Sequence, residues 1–304
     1  MRVLISGASG FLGGYIVKLA ENKKWDFDSI GIHETDNIKC DLSKEFTKEL
    51  GTYDYVIHAA GKAHMIPKSN KDSEQFYNVN FEGTKNLLKA IADLDQLPKA
   101  ILFVSSVAVY GLETGDFIKE TECNNATDPY GRSKALAEEY IVEWGKTNNV
   151  RVVIIRPPLL IGKNAPGNLA AMIKGIKTGK YANIRGGHAK RSMVLVEELV
   201  EFFPKLLEVE GVFNLTDGYN PSFKELSMKI GNHFMQTRIL NIPKPIDTVL
   251  AKIGDFISFI FRKPVPFNSR QLTKMTNNLT FDDSKARAIG WNPSNVLNTT
   301  KKWL

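Results

Sequence analysis

The sequence predicts an α/β fold, a doubly wound parallel sheet with a smaller C-terminal lobe. Short apolar runs of strand length alternate with segments of helical periodicity from Met1 to about Gly162, and this rhythm is typical of βαβ units. A closely spaced group of glycines directly follows the first apolar run. In doubly wound sheets, glycines occur at this place, in the turn between the first strand and the first helix. Beyond Gly162 the segments become shorter and more mixed, which indicates a second lobe.

The first part of the chain is predicted to form one sheet covered by helices. Its strands are Arg2–Ser6, Ser29–His33, Tyr55–Ala59, Ala100–Val104 and Arg151–Arg156. Its helices are Leu12–Glu21, Asn80–Leu94 and Tyr130–Lys146. Parallel strands buried on both faces have continuous apolar runs of this kind, so residues 1–162 are predicted to be one domain.

The second part, residues 163–304, is predicted to be mainly helical. Its helices are Pro166–Gly179, Glu197–Glu208, Ser222–His233 and Ile246–Phe261. Apolar segments near 191–196 and 211–215 are predicted strands, and we expect both to return to the main sheet. The second part is therefore predicted to be a lobe attached to the first, and not a separate domain.

Composition excludes several classes of protein. With 43% hydrophobic and 24% charged residues, the chain can bury a full core. Its two cysteines, Cys40 and Cys123, lack metal-binding spacing, so no metal site and no disulfide framework is predicted. No secretory signal precedes the first strand, and we expect a cytoplasmic protein. The net charge is +7, but the lysines are scattered, so we predict no nucleic-acid partner.

The glycine-rich turn has the sequence Gly7-Ala-Ser-Gly10-Phe-Leu-Gly13. Free backbone N–H groups and the helix dipole make the start of the next helix a phosphate site. The spacing GxxGxxG differs from the usual dinucleotide spacing GxGxxG, and an ordinary βα turn is the alternative. We predict a Rossmann-like dinucleotide site with contacts from Gly7, Ser9, Gly10, Phe11, Leu12 and Gly13.

A second group of residues indicates proton transfer. The apolar run Ile101–Val104 ends in two serines, Ser105 and Ser106. Tyr130 and Lys134 are four residues apart and share a helix face. A phenol has a pKa near 10, and a neighbouring ammonium is expected to lower that pKa. We predict that Ser106, Tyr130 and Lys134 are catalytic; the alternative is a surface helix with an incidental Tyr and Lys.

With these motifs the chain resembles the extended short-chain dehydrogenase/reductase family, the NAD-dependent epimerase/dehydratase group. The resemblance extends to Val56–Gly61, Asn80–Thr84, Ser106–Gly111, Arg156–Gly162 and Gly290–Pro293. It implies a dinucleotide-binding domain at 1–162 and a mainly substrate-binding lobe at 163–304. It also implies further cofactor contacts, from Asp41, Leu42, Ala59, Ala60, Gly61, Asn80, Tyr130, Lys134 and Pro157.

The choice between NAD and NADP depends on the end of the second strand. An acidic residue there bonds the ribose hydroxyls of NAD, whereas a basic group accepts the phosphate of NADP. The chain has His33 and Glu34 at this place. Glu34 favours NAD. His33, which is a predicted cofactor contact, argues weakly against it, so NAD is slightly favoured.

The resemblance also implies a substrate. Asn168 and Leu169 resemble the family's nucleotide-sugar pair, and Arg191 resembles its phosphate-binding arginine. A UDP- or dTDP-linked sugar is therefore expected, with an edge-strand salt bridge as the alternative for Arg191. Two family segments are absent, since Arg156-Pro-Pro-Leu159 replaces Arg-x-x-Asn and Met275-Thr-Asn-Asn278 replaces Arg-Pro-Gly-Asp.

The two residues after Ser106 narrow the choice of reaction. Family dehydratases carry an Asp-Glu pair where this chain has Val107 and Ala108. Dehydration is therefore not expected, and epimerisation or keto reduction at sugar C4 remains. We expect a homodimer. Two alternatives stay open, a dehydrogenase of a small or steroid-like ketone and a non-catalytic dinucleotide sensor.

The most apolar stretch is Ile246–Phe261. Its 16 residues include Asp247, Lys252 and Asp255, so it is too short and too charged to span a bilayer. Because Arg262-Lys263 follows, a weak contact with an anionic membrane surface is one interpretation. An amphipathic lid helix over the substrate lobe is the favoured one.

Overall fold

The fold is given by a computed structural model that describes residues 1–45, 49–63, 67, 69–235, 238–261 and 267–304. The strands in the described residues are β1 Arg2–Ser6, β2 Asp26–Gly31, β3 Ile38–Lys39, β4 Tyr55–His58, β5 Ala100–Val104, β6 Gly115–Ile118, β7 Arg151–Arg156, β8 Leu159–Ile161, β9 Ala182–Ile184, β10 Met193–Leu195, β11 Gly211–Asn214, β12 Leu240–Ile242 and β13 Leu279–Phe281.

Helices alternate with the strands of the first part and dominate the second. The α-helices in the described residues are α1 Phe11–Asn22, α2 Asn70–Phe76, α3 Gly83–Ala92, α4 Pro129–Asn148, α5 Asn168–Lys177, α6 Val196–Glu201, α7 Phe203–Leu206, α8 Phe223–His233, α9 Lys244–Phe261, α10 Ser269–Thr276 and α11 Ser284–Ala288. A π-helical segment, Tyr77–Glu82, joins α2 to α3. Short 3-10 turns lie at Val107–Tyr110, Arg185–Gly187, Val296–Asn298 and Thr300–Lys302.

The main sheet has seven strands among the described residues, in the order β11-β7-β5-β4-β1-β2-β3. Every neighbouring pair runs parallel. Alternate residues of β1 face opposite sides, since Val3 and Ile5 belong to one core cluster and Leu4 to another. Helices α1 and α6 cover one face, while α3 and α4 cover the other. The predicted doubly wound α/β fold is confirmed.

Most predicted elements of the first part lie within a few residues of the observed ones. Strand β2 ends at Gly31 because the chain then turns, and the His33 N–H donates to the Asp36 carboxylate at 2.9 Å. The helix predicted to begin at Asn80 starts earlier, in the π-helical segment. Helical periodicity does not distinguish π from α winding, so this feature was not predicted.

One predicted strand has a different partner. The segment near 191–196 forms β10, which pairs with β8 in a separate two-stranded sheet and does not return to the main sheet. Pro157 and Pro158 lie between β7 and β8 and cannot donate ladder hydrogen bonds. The chain therefore leaves the main sheet after β7, and β10 pairs with β8 outside that sheet. The segment near 211–215 forms β11, an edge strand of the main sheet.

The second part of the chain contains α5, α8, α9, α10 and two small parallel sheets, β12-β9 and β13-β6. The helix predicted at Glu197–Glu208 is interrupted between Glu201 and Phe203. Pro204 lies in the first turn of α7, where its missing N–H is tolerated although it cannot continue α6. The basic pair Arg262-Lys263 lies outside the described residues.

Candidate active site

A cavity of about 490 Å³ opens at the carboxyl ends of the central strands. Ligand sites of doubly wound folds lie at this edge. The cavity contains many of the predicted residues, namely Gly7, Gly10, Phe11, Leu12, Gly13, Ala59, Gly61, Ser106, Tyr130, Lys134, Pro157 and Asn168. It also contains residues that were not predicted, namely Lys62, Ala63, Val104, Ser105, Pro158, Leu159, Leu160 and Pro166.

The glycine turn is built without room for side chains. Gly7 has φ +76°, and a Cβ there would lie 2.6 Å from the Ala60 nitrogen. A Cβ on Gly13 would lie 1.9 Å from the Gly7 carbonyl oxygen. Gly10 is the N-cap of α1 and provides no side-chain hydrogen bond to it, and no acidic residue lies in the first turn. The turn thus leaves bare backbone and the positive end of a helix at the cavity, which fits a pyrophosphate.

A buried histidine supports this turn from the neighbouring strand. Nδ1 of His58 shares a hydrogen bond of 2.5 Å with Ser6 Oγ, and Nε2 shares one of 2.9 Å with Thr84 Oγ1. Ser6 Oγ also accepts from the Ala60 N–H at 3.2 Å. Burial lowers the pKa of His58 to about 3, so the ring is neutral and structural. The sequence signal for His58 was its position in Val56–Gly61, where it is a polar residue in an apolar run.

Tyr130 and Ser106 lie together in the cavity. Burial raises the pKa of the Tyr130 phenol, while the adjacent Ser106 hydroxyl opposes the rise. Ser106 also caps the 3-10 turn after β5, where its Oγ accepts from the Ala108 N–H at 3.2 Å. Tyr130 is therefore a protonated phenol at neutral pH with a hydroxyl beside it.

The predicted effect of Lys134 on Tyr130 is not observed. The Lys134 ammonium donates to the Val104 carbonyl oxygen at 2.9 Å, and it is not among the causes that shift the Tyr130 pKa. Burial lowers the pKa of Lys134 to about 8, against a smaller opposing effect of Glu138. Burial is the largest cause of the raised pKa of Tyr130, and this could not be deduced from the spacing of four residues.

Ser105 is a cavity residue that the motif assignment passed over. Its side chain is buried, and its Oγ has no hydrogen-bond partner among the described residues. A buried hydroxyl without a partner is unfavourable, so this oxygen is available to a ligand. The sequence contained the signal as the first serine of the Ser105-Ser106 pair.

Asn80 supports the cavity wall from behind. Its Oδ1 accepts from the Lys62 N–H at 2.7 Å, while its Nδ2 donates to the Lys62 carbonyl at 3.1 Å and to Ser133 Oγ at 2.9 Å. These bonds occupy the amide, and the residue is absent from the cavity lining. Asn80 thus positions the backbone of Lys62, and its direct contact with the cofactor stays a prediction.

Several predicted contacts at the adenine end lie outside the cavity. His33 Nδ1 shares a hydrogen bond of 2.8 Å with Thr35 Oγ1, and Asp41 accepts from Ser43. Leu42 is buried in a core cluster. Ser9 is exposed, and the Ala60 N–H is used by Ser6.

A buried carboxylate at the end of β2 was missed by the sequence analysis. Asp36 is buried, and its Oδ2 accepts from the His33 N–H at 2.9 Å. Its Oδ1 has no hydrogen-bond partner among the described residues. The region predicted to select the cofactor therefore contains an acidic group in addition to Glu34.

The predicted substrate residues separate into three environments. Asn168 begins α5 and lines the cavity. The Leu169 side chain is buried in a core cluster, which leaves it no surface for a ligand. Arg191 lies outside the cavity lining, and its Nη1 donates to the carbonyl oxygens of Lys190 at 2.8 Å and Asn277 at 2.6 Å.

The Arg191 guanidinium has no acidic partner in the described part of the chain. It stacks on Phe223 with 5.3 Å between the guanidinium carbon and the ring centre. Burial lowers its pKa to about 10, and no acidic neighbour opposes this effect. The alternative of an edge-strand salt bridge therefore does not describe it. A partly buried cation without a carboxylate is suited to an anionic ligand.

No group of three or more His, Cys, Asp or Glu side chains in the described residues could hold a metal ion. No helix in the same residues is long and apolar enough to cross a membrane.

Comparisons with known proteins agree with this geometry. Residues 3–215 match the model of the family described as NAD dependent epimerase/dehydratase. An Escherichia coli O157:H7 protein named N-acetyl-alpha-D-glucosaminyl-diphospho-ditrans,octacis-undecaprenol 4-epimerase is 29% identical over 310 residues, which cover 95% of this chain and 90% of that protein. The UDP-glucose 4-epimerase of Vibrio cholerae is 27% identical over 319 residues, with 97% and 92% covered. The solved structure of the Thermotoga maritima UDP-glucose 4-epimerase with UDP-glucose has a TM-score of 0.75 at 20% identity and covers 98% of this chain and 95% of that chain.

Proposed function

Because the chain belongs to the NAD-dependent epimerase/dehydratase family, we propose that it moves a hydride to or from C4 of a nucleotide-linked sugar. Membership confirms the family and the enzyme class predicted from the sequence, an NAD(P)-dependent enzyme of the extended short-chain dehydrogenase type. The reaction that we propose is epimerisation at C4 or reduction of a 4-ketone, with Ser106, Tyr130 and Lys134 as the catalytic residues.

The observation that supports this proposal is the position of Tyr130. Its phenol lies beside Ser106 in the same cavity as the glycine turn, and Lys134 is in the cavity wall. A proton donor and a phosphate cradle thus open into one space large enough for a nicotinamide and a sugar ring. The substrate contacts come from Asn168 and its neighbours after residue 163, and the cofactor contacts from residues 1–162.

Proton transfer is assigned to Tyr130. Because burial raises the pKa of the phenol, the phenol is protonated at neutral pH and ready to donate to a ketone oxygen at C4. The Ser106 hydroxyl would hydrogen-bond the same oxygen and hold it near the phenol. In the reverse direction the phenolate accepts the proton of the C4 hydroxyl. Lys134, whose ammonium donates to the Val104 carbonyl in the cavity wall, remains a proposed catalytic residue. The nicotinamide, when bound, supplies or accepts the hydride.

The residues present fit a dinucleotide. Gly7, Gly10 and Gly13 would hold the pyrophosphate, and Ser105 Oγ offers an unused hydroxyl to the nicotinamide end. The acidic groups Glu34 and Asp36 near the end of β2 favour NAD over NADP, since a carboxylate repels a 2′-phosphate. NAD remains slightly favoured.

The substrate is proposed to be a UDP- or dTDP-linked sugar. Asn168 borders the cavity, and Arg191 offers a guanidinium without an acidic partner among the described residues for a diphosphate. A small or steroid-like ketone would need neither residue, and a non-catalytic sensor would need no protonated tyrosine. A homodimer and a cytoplasmic location stay predictions.

The proposal is tested by incubating the purified protein with NAD(P) and candidate sugars. UDP-glucose, UDP-N-acetylglucosamine and dTDP-glucose test epimerisation, which NMR detects as the C4 epimer. A UDP- or dTDP-linked 4-ketosugar with NAD(P)H tests reduction, followed by the absorbance of the reduced nicotinamide. Turnover by the wild type and none by Tyr130→Phe supports the assignment. If only a small apolar ketone is reduced, the nucleotide-sugar assignment is wrong.

A second candidate substrate undergoes the same reaction at sugar C4, but its sugar is linked to a lipid and not to a nucleoside. The name of the relative from Escherichia coli O157:H7 specifies a sugar linked through a diphosphate to undecaprenol. A diphosphate would meet Arg191 equally well, and a lipid carrier needs no base pocket. Parallel assays with UDP-N-acetylglucosamine and with diphospho-undecaprenol-linked N-acetylglucosamine in detergent separate the two candidates.

A further inference from the structure

Helix α9 presents an apolar face that nothing in the described chain covers. Six large apolar side chains on it are 38–64% exposed. Their spacing of three or four residues places them on one side of the helix. They are Ile246, Val249, Leu250, Ile253, Phe256 and Ile257.

The opposite face of α9 is fixed to the lobe. Asp247 is fully buried and accepts two hydrogen bonds from the Arg185 guanidinium, at 2.6 and 3.1 Å. Ala251 packs in a cluster with Ile184 and Leu272. A Cβ on Gly254 would lie 1.9 Å from the Phe267 carbonyl oxygen. The helix is thus docked closely by one face, and its apolar face points away from the packed lobe.

This arrangement differs from the lid that was favoured from the sequence. No residue of α9 is among those that line the cavity in the described chain. The helix packs mainly on α10, whose C-cap residue Asn277 accepts a hydrogen bond from Arg191. The apolar face is therefore connected to the candidate phosphate-binding residue through one helix, without covering the site.

The charge around α9 suits an anionic surface. Residues 238–263 contain Arg238, Lys244, Lys252, Arg262 and Lys263 against only Asp247 and Asp255. Asp247 is neutralised by Arg185. On the helix, Lys252 is exposed and lies next to the apolar face, where its alkyl chain can contact apolar groups while the ammonium reaches out.

We propose that the apolar face of α9 docks on an anionic phospholipid bilayer, with α9 lying in the plane of the membrane surface. Interfacial helices combine an apolar face with basic residues beside it, and α9 with its flanking residues has both. A second copy of the chain is a less suitable occupant. A stable protein interface takes about 20–30 residues from each side, and this face offers six.

This proposal does not depend on the reaction proposed above, because it involves α9 alone. It would hold the enzyme on the bilayer surface whichever sugar carrier is its substrate.

The test is flotation of the purified full chain with vesicles. Vesicles of phosphatidylcholine with phosphatidylglycerol at a 3:1 ratio are compared with vesicles of phosphatidylcholine alone. We expect the wild type to bind the anionic vesicles about tenfold more tightly than the neutral ones, and more weakly at 0.5 M than at 0.1 M NaCl, since the basic residues contribute electrostatically.

The double variant Ile253→Ser/Phe256→Ser should lose about tenfold or more in vesicle affinity, because two apolar side chains no longer enter the interface. Met228→Ser on α8 is the matched control, since Met228 is also a half-exposed apolar residue of a helix, and it should bind as the wild type does. Unchanged NAD(H) affinity in all variants shows that they fold.

Absence of wild-type binding to anionic vesicles overturns the proposal. Equal vesicle binding by the wild type and the double variant also overturns it. Sedimentation equilibrium addresses the other occupant. If the double substitution turns a dimer into a monomer while vesicle binding stays unchanged, the face joins two copies of this chain and the membrane proposal is wrong.

Discussion

Glu138, one helical turn after Lys134, forms a buried ion pair with Arg156. The guanidinium donates from Nε to one carboxylate oxygen at 3.0 Å and from Nη2 to the other at 2.5 Å. The two side chains are only 4% and 5% exposed. The pair ties α4, which carries Tyr130 and Lys134, to the end of β7 at the cavity edge.

Breaking this pair should destabilise the fold. Glu138→Ala leaves a buried guanidinium without its carboxylate, so the free energy of unfolding should fall by about 3–5 kcal/mol. The double variant Glu138→Leu/Arg156→Met removes both charges and should recover a large part of the loss. Urea unfolding followed by circular dichroism measures both values. A double variant no more stable than Glu138→Ala would contradict the account.

Tyr130→Phe should remove the proton donor and keep the fold. Turnover is expected to fall by about a hundredfold or more, the usual scale for losing a general acid or base. Cofactor affinity, measured by calorimetry, should stay near the wild-type value. Tyr140→Phe on the same helix is the control and should turn over normally. Near-normal turnover by Tyr130→Phe would exclude the residue from catalysis.

Gly10→Val should weaken dinucleotide binding by placing a side chain where the phosphate approaches the backbone. The position suits the test because a Cβ at Gly10 meets only the Gly7 carbonyl oxygen, at 3.3 Å. The control is Gly14→Ala in α1, the helix that Gly10 precedes, where a Cβ meets no atom within 4 Å. Calorimetry with NAD and NADP measures the affinities. Equal affinities for the two variants would rule out the proposed cradle.

Arg191→Ala should weaken binding of a nucleotide sugar. A charge-assisted hydrogen bond contributes about 1.5–3 kcal/mol, so the apparent substrate constant should rise about tenfold to a hundredfold. Arg191→Lys should recover only part, because an ammonium lacks the planar fork of the guanidinium. Arg238→Ala, an exposed arginine of the same lobe, should be neutral. If substrate constants do not change and NAD(P) binding does, the residue serves the cofactor instead.

His58 should make the fold sensitive to acid. Its pKa is about 3 in the folded chain against a usual 6.5, so between these values the unfolded chain binds more protons. Stability is therefore lost as the pH falls through 6.5 towards 3, by about 2 kcal/mol between pH 7 and pH 5. His58→Asn should reduce that slope in urea unfolding at the two pH values. Identical slopes would show that other groups cause the acid sensitivity.

The sequence predicted local features of this chain better than long-range ones. The strands from β1 to β7 and the glycine turn are encoded in short runs, where apolar periodicity and backbone sterics act directly. The partner of β10 is not encoded locally, since an apolar triplet such as Met193–Leu195 pairs with whichever strand the chain brings near it. Here the prolines after β7 decided the partner.

The same distinction holds within the candidate site. The spacing of Tyr130 and Lys134 predicted that both reach one cavity, and both line it. The protonation of these groups depends on burial by residues far apart in the chain, so the expected lowering of the Tyr130 pKa was wrong for this structure. The environment of Arg191 likewise depends on a carbonyl oxygen of Asn277 and the ring of Phe223, which are far from it in sequence.

The π-helical segment Tyr77–Glu82 restricts how the length of this chain can change in evolution. The Gly83 N–H donates to the Asn78 carbonyl five residues earlier, so the segment carries extra chain relative to an α-helix. Deleting one residue there would restore α winding and turn Asn80 by about 100° relative to Thr84 or to the preceding helix. Either change would separate Asn80 from Lys62 or Thr84 from His58. We therefore expect homologues that keep both contacts to vary this segment by substitution and not by insertion or deletion.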